Sequence, residues 1–161
     1  MLLRGVIIMD SKGPNVKLPP PLIFLFFAVL AWGINTQWPL TINDHIIVKI
    51  IGIALTTTGL LLIFIAVWQF KQASTHIEPW KPTQHLVTSG IFGFSRNPIY
   101  LALGLIIMGI GILVNMLWMC LSVAPSLLSV YLYVIKREEA YLEAKFGEEY
   151  LRYKRSVRRW L

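Results

Sequence analysis

The sequence predicts an all-α, multi-pass membrane protein with about four transmembrane helices and a C-terminal amphipathic helix on the cytoplasmic side. Of the 161 residues, 56% are apolar and only 14% are charged, whereas a soluble domain carries about 25% charged residues. The apolar residues also form four long runs separated by polar segments. Because a hydrocarbon core of about 30 Å requires roughly 20 apolar residues per helix, these runs are the candidate membrane spans.

The first and third apolar runs are shorter than a membrane span usually requires. The four runs cover residues 22 to about 40, 46 to 70, 99 to 114 and 116 to 135. The first is strictly apolar only as far as Ile34, although Trp32 and Trp38 suit the interfacial region at its outer end. The third would be about 24 Å long as a helix, and only Asn115 separates it from the fourth. We therefore expect the last two runs to form a tight helical hairpin, with a kink at Pro125.

These runs suggest a single membrane domain over residues 1–161. Its parts would be a cytoplasmic segment at 1–21, two transmembrane helices at 22–70, and a core at 71–161 that holds the central loop, the hairpin and the tail helix. No small-residue cleavage site follows the first run, so we expect that run to remain as an anchor rather than to act as a signal peptide.

The basic residues predict the orientation in the membrane. Eight basic residues follow Ile135, and only Lys49 lies near the first turn. Three precede the first run, namely Arg4, Lys12 and Lys17, and three lie in the central loop, namely Lys71, Lys81 and Arg96. The positive-inside rule then places both termini and the central loop in the cytoplasm. The net charge of +7 does not indicate a nucleic-acid partner, because five glutamates are interleaved with the basic residues of the tail beside a membrane helix. Attraction to anionic membrane lipids explains the charge more simply.

The sequence indicates neither a metal-binding site nor an internal disulfide bond. Cys120 is the only cysteine, which excludes an internal disulfide and a thiolate metal cluster. The three histidines, His45, His76 and His85, are scattered without the spacing of a metal site.

A first polar cluster lies where the third run begins. Asn97 is a good helix cap and Pro98 suits the first helical position. A helix start presents free N–H groups and a positive dipole end, and Arg96 adds a full charge beside them. An anion such as a carboxylate would be favoured there. Alternatively, Arg96 is an interfacial arginine that extends to a lipid phosphate.

A second polar cluster follows the hairpin. The tail has an apolar stripe at helical spacing, formed by Leu142, Phe146, Tyr150, Tyr153 and Val157. One turn earlier, Glu138 falls on the same face, and Glu139 lies about 100° around the helix. An acid on an apolar face at the membrane boundary needs a partner, but two glutamates also suit the positive end of a solvated helix. Both interpretations stay open.

Together the clusters offer a cation for a carboxylate, an acid for an amine or hydroxyls, and the ring of Tyr100 for a cation. These residues resemble the integral membrane methyltransferases typified by isoprenylcysteine carboxyl methyltransferase and, more distantly, phosphatidylethanolamine N-methyltransferase. The resemblance covers about residues 83 to 160. Its motifs occur in family order: His85-Leu86-Val87-Thr88-Ser89-Gly90, Arg96-Asn97-Pro98-Ile99-Tyr100, Glu138-Glu139 and Phe146-Gly147-Glu148-Glu149-Tyr150-Leu151. Asn97 stands where the isoprenylcysteine enzymes usually have His, in a form similar to the phosphatidylethanolamine enzymes.

The resemblance implies S-adenosylmethionine as methyl donor, held between the loop before the third run and the start of the tail. Arg96 and the N-terminal amides of that run would hold the methionine carboxylate, and Asn97, Pro98 and Tyr100 would be among the residues that bind the donor. Glu138, with Glu139, would take the amino group or the ribose hydroxyls, and Arg96 and Glu138 are the expected catalytic residues. The adenosyl side would be lined by His85, Leu86, Val87 and Gly90. Because only Arg96 lies at the helix start, we expect Arg96→Ala to weaken donor binding more than Arg159→Ala.

The acceptor is less defined. A lipid amine, an isoprenylcysteine carboxylate and a small thiol all fit a lipophilic or membrane-borne acceptor in a bacterial or archaeal cell membrane. Arg152 and Arg155 are candidate contacts for an anionic acceptor, although a solvated surface position explains each of them better. The other function class that fits is a non-catalytic membrane module whose basic tail binds anionic lipid or a partner. A transporter is disfavoured, since no charged residue lies deep in the second or fourth run.

Overall fold

The structure is a computed structural model that describes residues 13–161. Over this range the chain forms helices and connecting segments without a β-strand, so the predicted all-α class is confirmed. Two of the basic residues that predict the orientation, Arg4 and Lys12, lie outside the described residues.

The helices follow the predicted apolar runs closely. Their bounds are α1 Pro20–Gln37, α2 Ile46–Gln72, a 3-10 helix Gly90–Gly93, α3 Pro98–Leu113, α4 Leu117–Leu121, α5 Val123–Val130, a π-helical turn Tyr131–Ile135, α6 Lys136–Phe146 and α7 Glu148–Ser156. Hydrophobic length therefore predicted where each of the long elements begins and ends, because a helix in lipid must satisfy its backbone groups internally along the whole apolar run.

Within residues 13–161, three helical stretches are long and apolar enough to cross a membrane: Pro20–Gln37, Ile46–Gln72 and the nearly continuous Leu117–Phe146. The third predicted span, α3, has 16 residues and is shorter than these. Large apolar side chains point outward along the spans, as shown by Phe26 at 62% and Phe64 at 70% exposure. Such exposure is costly in water and favourable in lipid, so the chain is an integral membrane protein.

The predicted hairpin of the last two runs is present. The chain turns through Asn115, which has a left-handed φ of 53°, and the Met116 N–H donates to the Gly111 carbonyl at 2.8 Å. The second arm is interrupted at Ser122, between α4 and α5, one turn before Pro125. Proline lacks an N–H and clashes with the preceding turn, which accounts for an interruption at this point.

The described residues form two compact units. The first contains residues 13–19, 64–98 and 131–161, and the second contains residues 20–63 and 99–130. In the second unit α2 and α3 approach closely, since a Cβ on Gly109 would lie 2.6 Å from the Gly52 carbonyl oxygen. The glycines at this contact therefore permit close packing of the two helices.

The tail of the first unit differs from the predicted single helix. It forms two helices, α6 and α7, separated at Gly147, whose φ is 53°. Glycine adopts this left-handed conformation without the steric cost that a side chain would impose. Three tyrosines of the tail are buried, namely Tyr141, Tyr150 and Tyr153.

Candidate functional site

A buried ion pair lies at the centre of the first unit. Arg96 Nη1 lies 3.0 Å from Glu139 Oε1, and the two side chains are only 8% and 13% exposed. The same Nη1 donates to the Tyr150 hydroxyl at 3.2 Å, while Arg96 Nε is buried without a hydrogen-bond partner. A buried charge is stabilised only when its remaining donors are also satisfied, so this Nε is a donor in need of an acceptor.

Arg159 joins this pair from the end of the chain. Its Nε and Nη2 donate to the two oxygens of Glu139 at 2.8 and 3.0 Å, and its guanidinium lies over the Tyr131 ring at 4.9 Å. The hydrogen bond with Glu139 raises the pKa of Arg159 above its usual value. Two arginines thus share one carboxylate, and the cluster of these three groups carries one surplus positive charge.

Hydrogen bonds connect the C-terminal segment 157–161 with the loop before α3. The Arg96 N–H donates to the Arg158 carbonyl at 3.0 Å, and Asn97 Nδ2 donates to the Arg159 carbonyl at 3.0 Å. Ser95 Oγ reaches the same carbonyl at 3.3 Å. Asn97 is buried, and its side chain connects the start of α3 with the C-terminal segment.

Two tyrosines of α7 support the arginine. Tyr150 and Tyr153 are 2% and 8% exposed, and the Tyr153 hydroxyl donates to the Phe92 carbonyl at 2.7 Å. Burial raises the pKa of both phenols, and the negative charge of Glu139 raises that of Tyr150 further. Both hydroxyls therefore remain protonated near neutral pH and available as donors.

The acid that pairs with Arg96 is Glu139, whereas the apolar stripe favoured Glu138 as the inward-facing acid. Glu138 is partly exposed, and its negative charge contributes, after burial and Glu139, to the raised pKa of Tyr150. The stripe from Leu142 to Val157 crosses the break at Gly147. Glu138 lies before this break, in the same helix as Leu142.

The segment predicted to line the adenosyl side lies against α2 and α6. The Thr83 N–H donates to the Tyr141 hydroxyl of α6 at 3.2 Å, and the Phe92 and Phe70 rings meet edge to face with centroids 5.2 Å apart. The predicted residues of this segment differ in exposure: Leu86 and Val87 are partly buried, and His85 and Gly90 are exposed.

The other predicted residues are Pro98, Tyr100, Arg152 and Arg155. Pro98 and Tyr100 are buried in the first turn of α3, and Tyr100 belongs to the second unit. Arg152 and Arg155 are exposed on α7, where Arg155 pairs with Glu148 at 2.5 Å. The second unit has a separate open groove of about 190 Å³ without an ionisable residue, lined by Phe27, Leu30, Ala31, Ile34, Trp118, Leu121, Ser122 and Pro125.

Sequence reasoning missed Arg159 and Gln69 as members or neighbours of the site. Arg159 was expected to matter less than Arg96 for donor binding because it does not lie at a helix start, and 20 residues separate it from Glu139. Gln69 lies inside an apolar run, where its Oε1 is buried without a partner. An uncharged polar residue in such a run was the available signal.

Part of the chain is similar to known proteins. The model of the phospholipid methyltransferase family matches residues 47–149, more than half of the chain. A protein of Haemophilus influenzae described as uncharacterized is 56% identical over 41 residues, which are 26% of this chain. The match covers 65% of that protein, less than two thirds of its length. No solved structure matches.

Proposed function

Because this chain belongs to the phospholipid methyltransferase family, we propose that it transfers a methyl group from S-adenosylmethionine to a lipophilic or membrane-borne acceptor. The family supports a membrane methyltransferase in general. The identity of the methyl donor, the class of the methyl acceptor and the roles of the individual residues are proposals.

The observation that carries the donor assignment is the buried pair of Arg96 and Glu139. The methionine end of S-adenosylmethionine bears a carboxylate and an ammonium group, which require a cationic donor and an anionic acceptor side by side. Arg96 Nε is buried and unpartnered, so it can donate to the carboxylate. Glu139 lies 3.0 Å from the same guanidinium and can accept from the ammonium group. The residues present therefore fit the donor.

The remaining residues have supporting roles in this proposal. Glu138 acts beside Glu139 on the ammonium group or the ribose hydroxyls, and the segment from His85 to Gly90 lines the adenosyl side. Asn97 and Pro98 set the position of Arg96, because Asn97 is bonded to the C-terminal segment and Pro98 begins α3. We propose Arg96 and Glu138 as the catalytic residues. The ring of Tyr100 is the proposed contact for the positively charged sulfur of the donor.

When bound, S-adenosylmethionine supplies a methyl group on a positively charged sulfur. The protein has to align this group with the acceptor and to exclude water, and neither task requires a protein nucleophile. The buried tyrosines around Arg96 keep its surroundings poor in water, which strengthens the ion pairs that hold the donor.

The acceptor in this proposal reaches the site from the membrane, and the site lies on the cytoplasmic side in the core of residues 71–161. Three acceptor classes fit: a lipid amine, an isoprenylcysteine carboxylate and a small thiol. Arg152 and Arg155 are exposed on α7 and are the proposed contacts for an anionic acceptor.

A transfer assay tests the activity. Purified protein in detergent is incubated with methyl-labelled S-adenosylmethionine and a bacterial membrane extract, and the label is located in lipid, protein or volatile fractions. We expect label in one fraction with the wild-type protein and at most about a tenth as much with Arg96→Gln, since removing a charged hydrogen-bond donor costs about 1.5–3 kcal/mol. No label in any fraction with folded protein contradicts the proposal and favours a lipid-binding module.

A further inference from the structure

Gln69 holds the second buried polar atom without a partner. Among the described residues, two buried side-chain atoms lack a hydrogen bond: Arg96 Nε, a donor, and Gln69 Oε1, an acceptor. Leaving such an atom unsatisfied costs about 1–3 kcal/mol. The proposed function gives the first atom a partner in the donor carboxylate, but it gives none to the second.

The side chain of Gln69 packs directly against the loop at Gly90. Gln69 lies in the last turn of α2, and a Cβ on Gly90 would lie 1.6 Å from its Nε2 and 2.8 Å from its Cδ. Gly90 also has a φ of 61°, so both space and backbone conformation favour glycine there. The Phe70–Phe92 ring contact joins the same two segments, one residue after Gln69 and two residues after Gly90.

A short series of contacts connects Gln69 with Arg96 inside the first unit. Phe92, two residues after Gly90, accepts from Tyr153, the rings of Tyr153 and Tyr150 lie 6.2 Å apart, and Tyr150 accepts from Arg96. Six residues separate Gly90 from Arg96, so their Cα atoms are at most about 20 Å apart. Both unpartnered atoms thus belong to side chains of the first unit that are connected through the loop and α7.

We propose that Gln69 determines specificity for the adenine base of the methyl donor. This inference rests on the proposed function, which places the adenosyl group beside Gly90. With Nε2 against Gly90, Oε1 is the atom left to accept from the exocyclic amine of adenine, and a carboxamide is a side chain that recognises adenine well. An apolar side chain of similar shape, such as leucine, would fill the same space without burying an unsatisfied oxygen. The carboxamide is thus explained by a ligand that donates a hydrogen bond.

A pair of product analogues tests this assignment without requiring turnover. S-inosylhomocysteine differs from S-adenosylhomocysteine at the exocyclic position, where a carbonyl acceptor replaces the amine donor. Binding of both compounds is measured by equilibrium dialysis with the full chain in detergent. The variants are Gln69→Leu and, as a matched control, Gln72→Leu, which replaces an exposed glutamine in the same turn of α2.

We expect the wild-type protein and Gln72→Leu to prefer the adenosyl compound about 10- to 100-fold, which corresponds to one good polar contact to a base. In Gln69→Leu the preference should fall to less than about 3-fold, mainly through weaker binding of the adenosyl compound. Equal binding of both compounds by the wild-type protein overturns the inference, even if Gln69→Leu fails to fold, and leaves the proposed function standing. A preference retained in Gln69→Leu also overturns it. Failure of the folded wild-type protein to bind either compound contradicts the proposed function itself.

Discussion

The guanidinium of Arg159 and the carboxylate of Glu139 form a two-point ion pair, with N–O distances of 2.8 and 3.0 Å. Arg159 lies beyond α7, the last helix, so the final residues of the chain contribute directly to the buried cluster. Because Arg96 contacts the same carboxylate, any change at Arg159 alters how the charge of Glu139 is shared.

This pairing predicts that Arg159→Ala destabilises the protein more than Arg158→Ala. The Arg159 side chain is 33% exposed, so solvent weakens the pair and we expect a loss of about 1 kcal/mol. Arg158 is exposed, and its backbone carbonyl keeps the bond to Arg96 after the substitution. Thermal unfolding in detergent measures the difference, and equal midpoints for the two variants would show that the Arg159 pair contributes nothing.

Two glycines of the 3-10 helix give a matched pair for the loop. Gly90→Ala forces a side chain into a left-handed backbone and onto the Gln69 amide, so we expect it to lower stability by roughly 1–3 kcal/mol. A Cβ on Gly93 would meet only the Thr88 carbonyl oxygen at 3.6 Å, and Gly93→Ala should have little effect. The midpoint of thermal unfolding distinguishes them, and a milder effect at Gly90 than at Gly93 would contradict the contact between Gln69 and the loop.

The buried phenols predict a loss of stability in alkaline solution. Burial raises the pKa of Tyr153 above its usual value of 10.0, so above that pH the unfolded chain loses this proton before the folded protein does. The contribution of this phenol to stability is complete below about pH 10 and is lost progressively as the pH rises above 10.

Tyr153→Phe isolates this contribution. It should lower stability by about 1 kcal/mol at neutral pH, since the Phe92 carbonyl loses its donor, and the wild-type and variant curves should converge above pH 10. Tyr131→Phe keeps the ring under Arg159 and serves as the control. Thermal midpoints measured between pH 8 and pH 11 provide the curves, and parallel curves for the wild-type protein and Tyr153→Phe would refute the assignment.

Hydrophobic length and local turn chemistry were enough to predict most of the fold. The runs at 46–70 and 99–114 became α2 and α3 with almost the same bounds, because in lipid the apolar stretch and the helix must coincide. The hairpin at Asn115 was predicted because this single residue separates two such runs. The break at Gly147 was not predicted, since a glycine inside a helical pattern is compatible with either a continuous helix or a stop.

The candidate site was predicted in part. The sequence brought Arg96 and the glutamate pair together as groups of opposite charge, and the structure joins Arg96 to Glu139. The helical register of the tail favoured Glu138, and it did not identify Glu139 as a partner of Arg96. Arg159 and Gln69 could not be assigned, because their positions depend on how distant segments pack rather than on any local pattern.

Donor binding tests the central claim most directly. Labelled S-adenosylmethionine is titrated into the purified protein in detergent, alongside Arg96→Gln and the exposed control Arg158→Gln. The account predicts saturable binding by the wild-type protein and Arg158→Gln, and at least about 10-fold weaker binding by Arg96→Gln. Saturable binding of unchanged affinity in folded Arg96→Gln, or no binding by the folded wild-type protein, would contradict it.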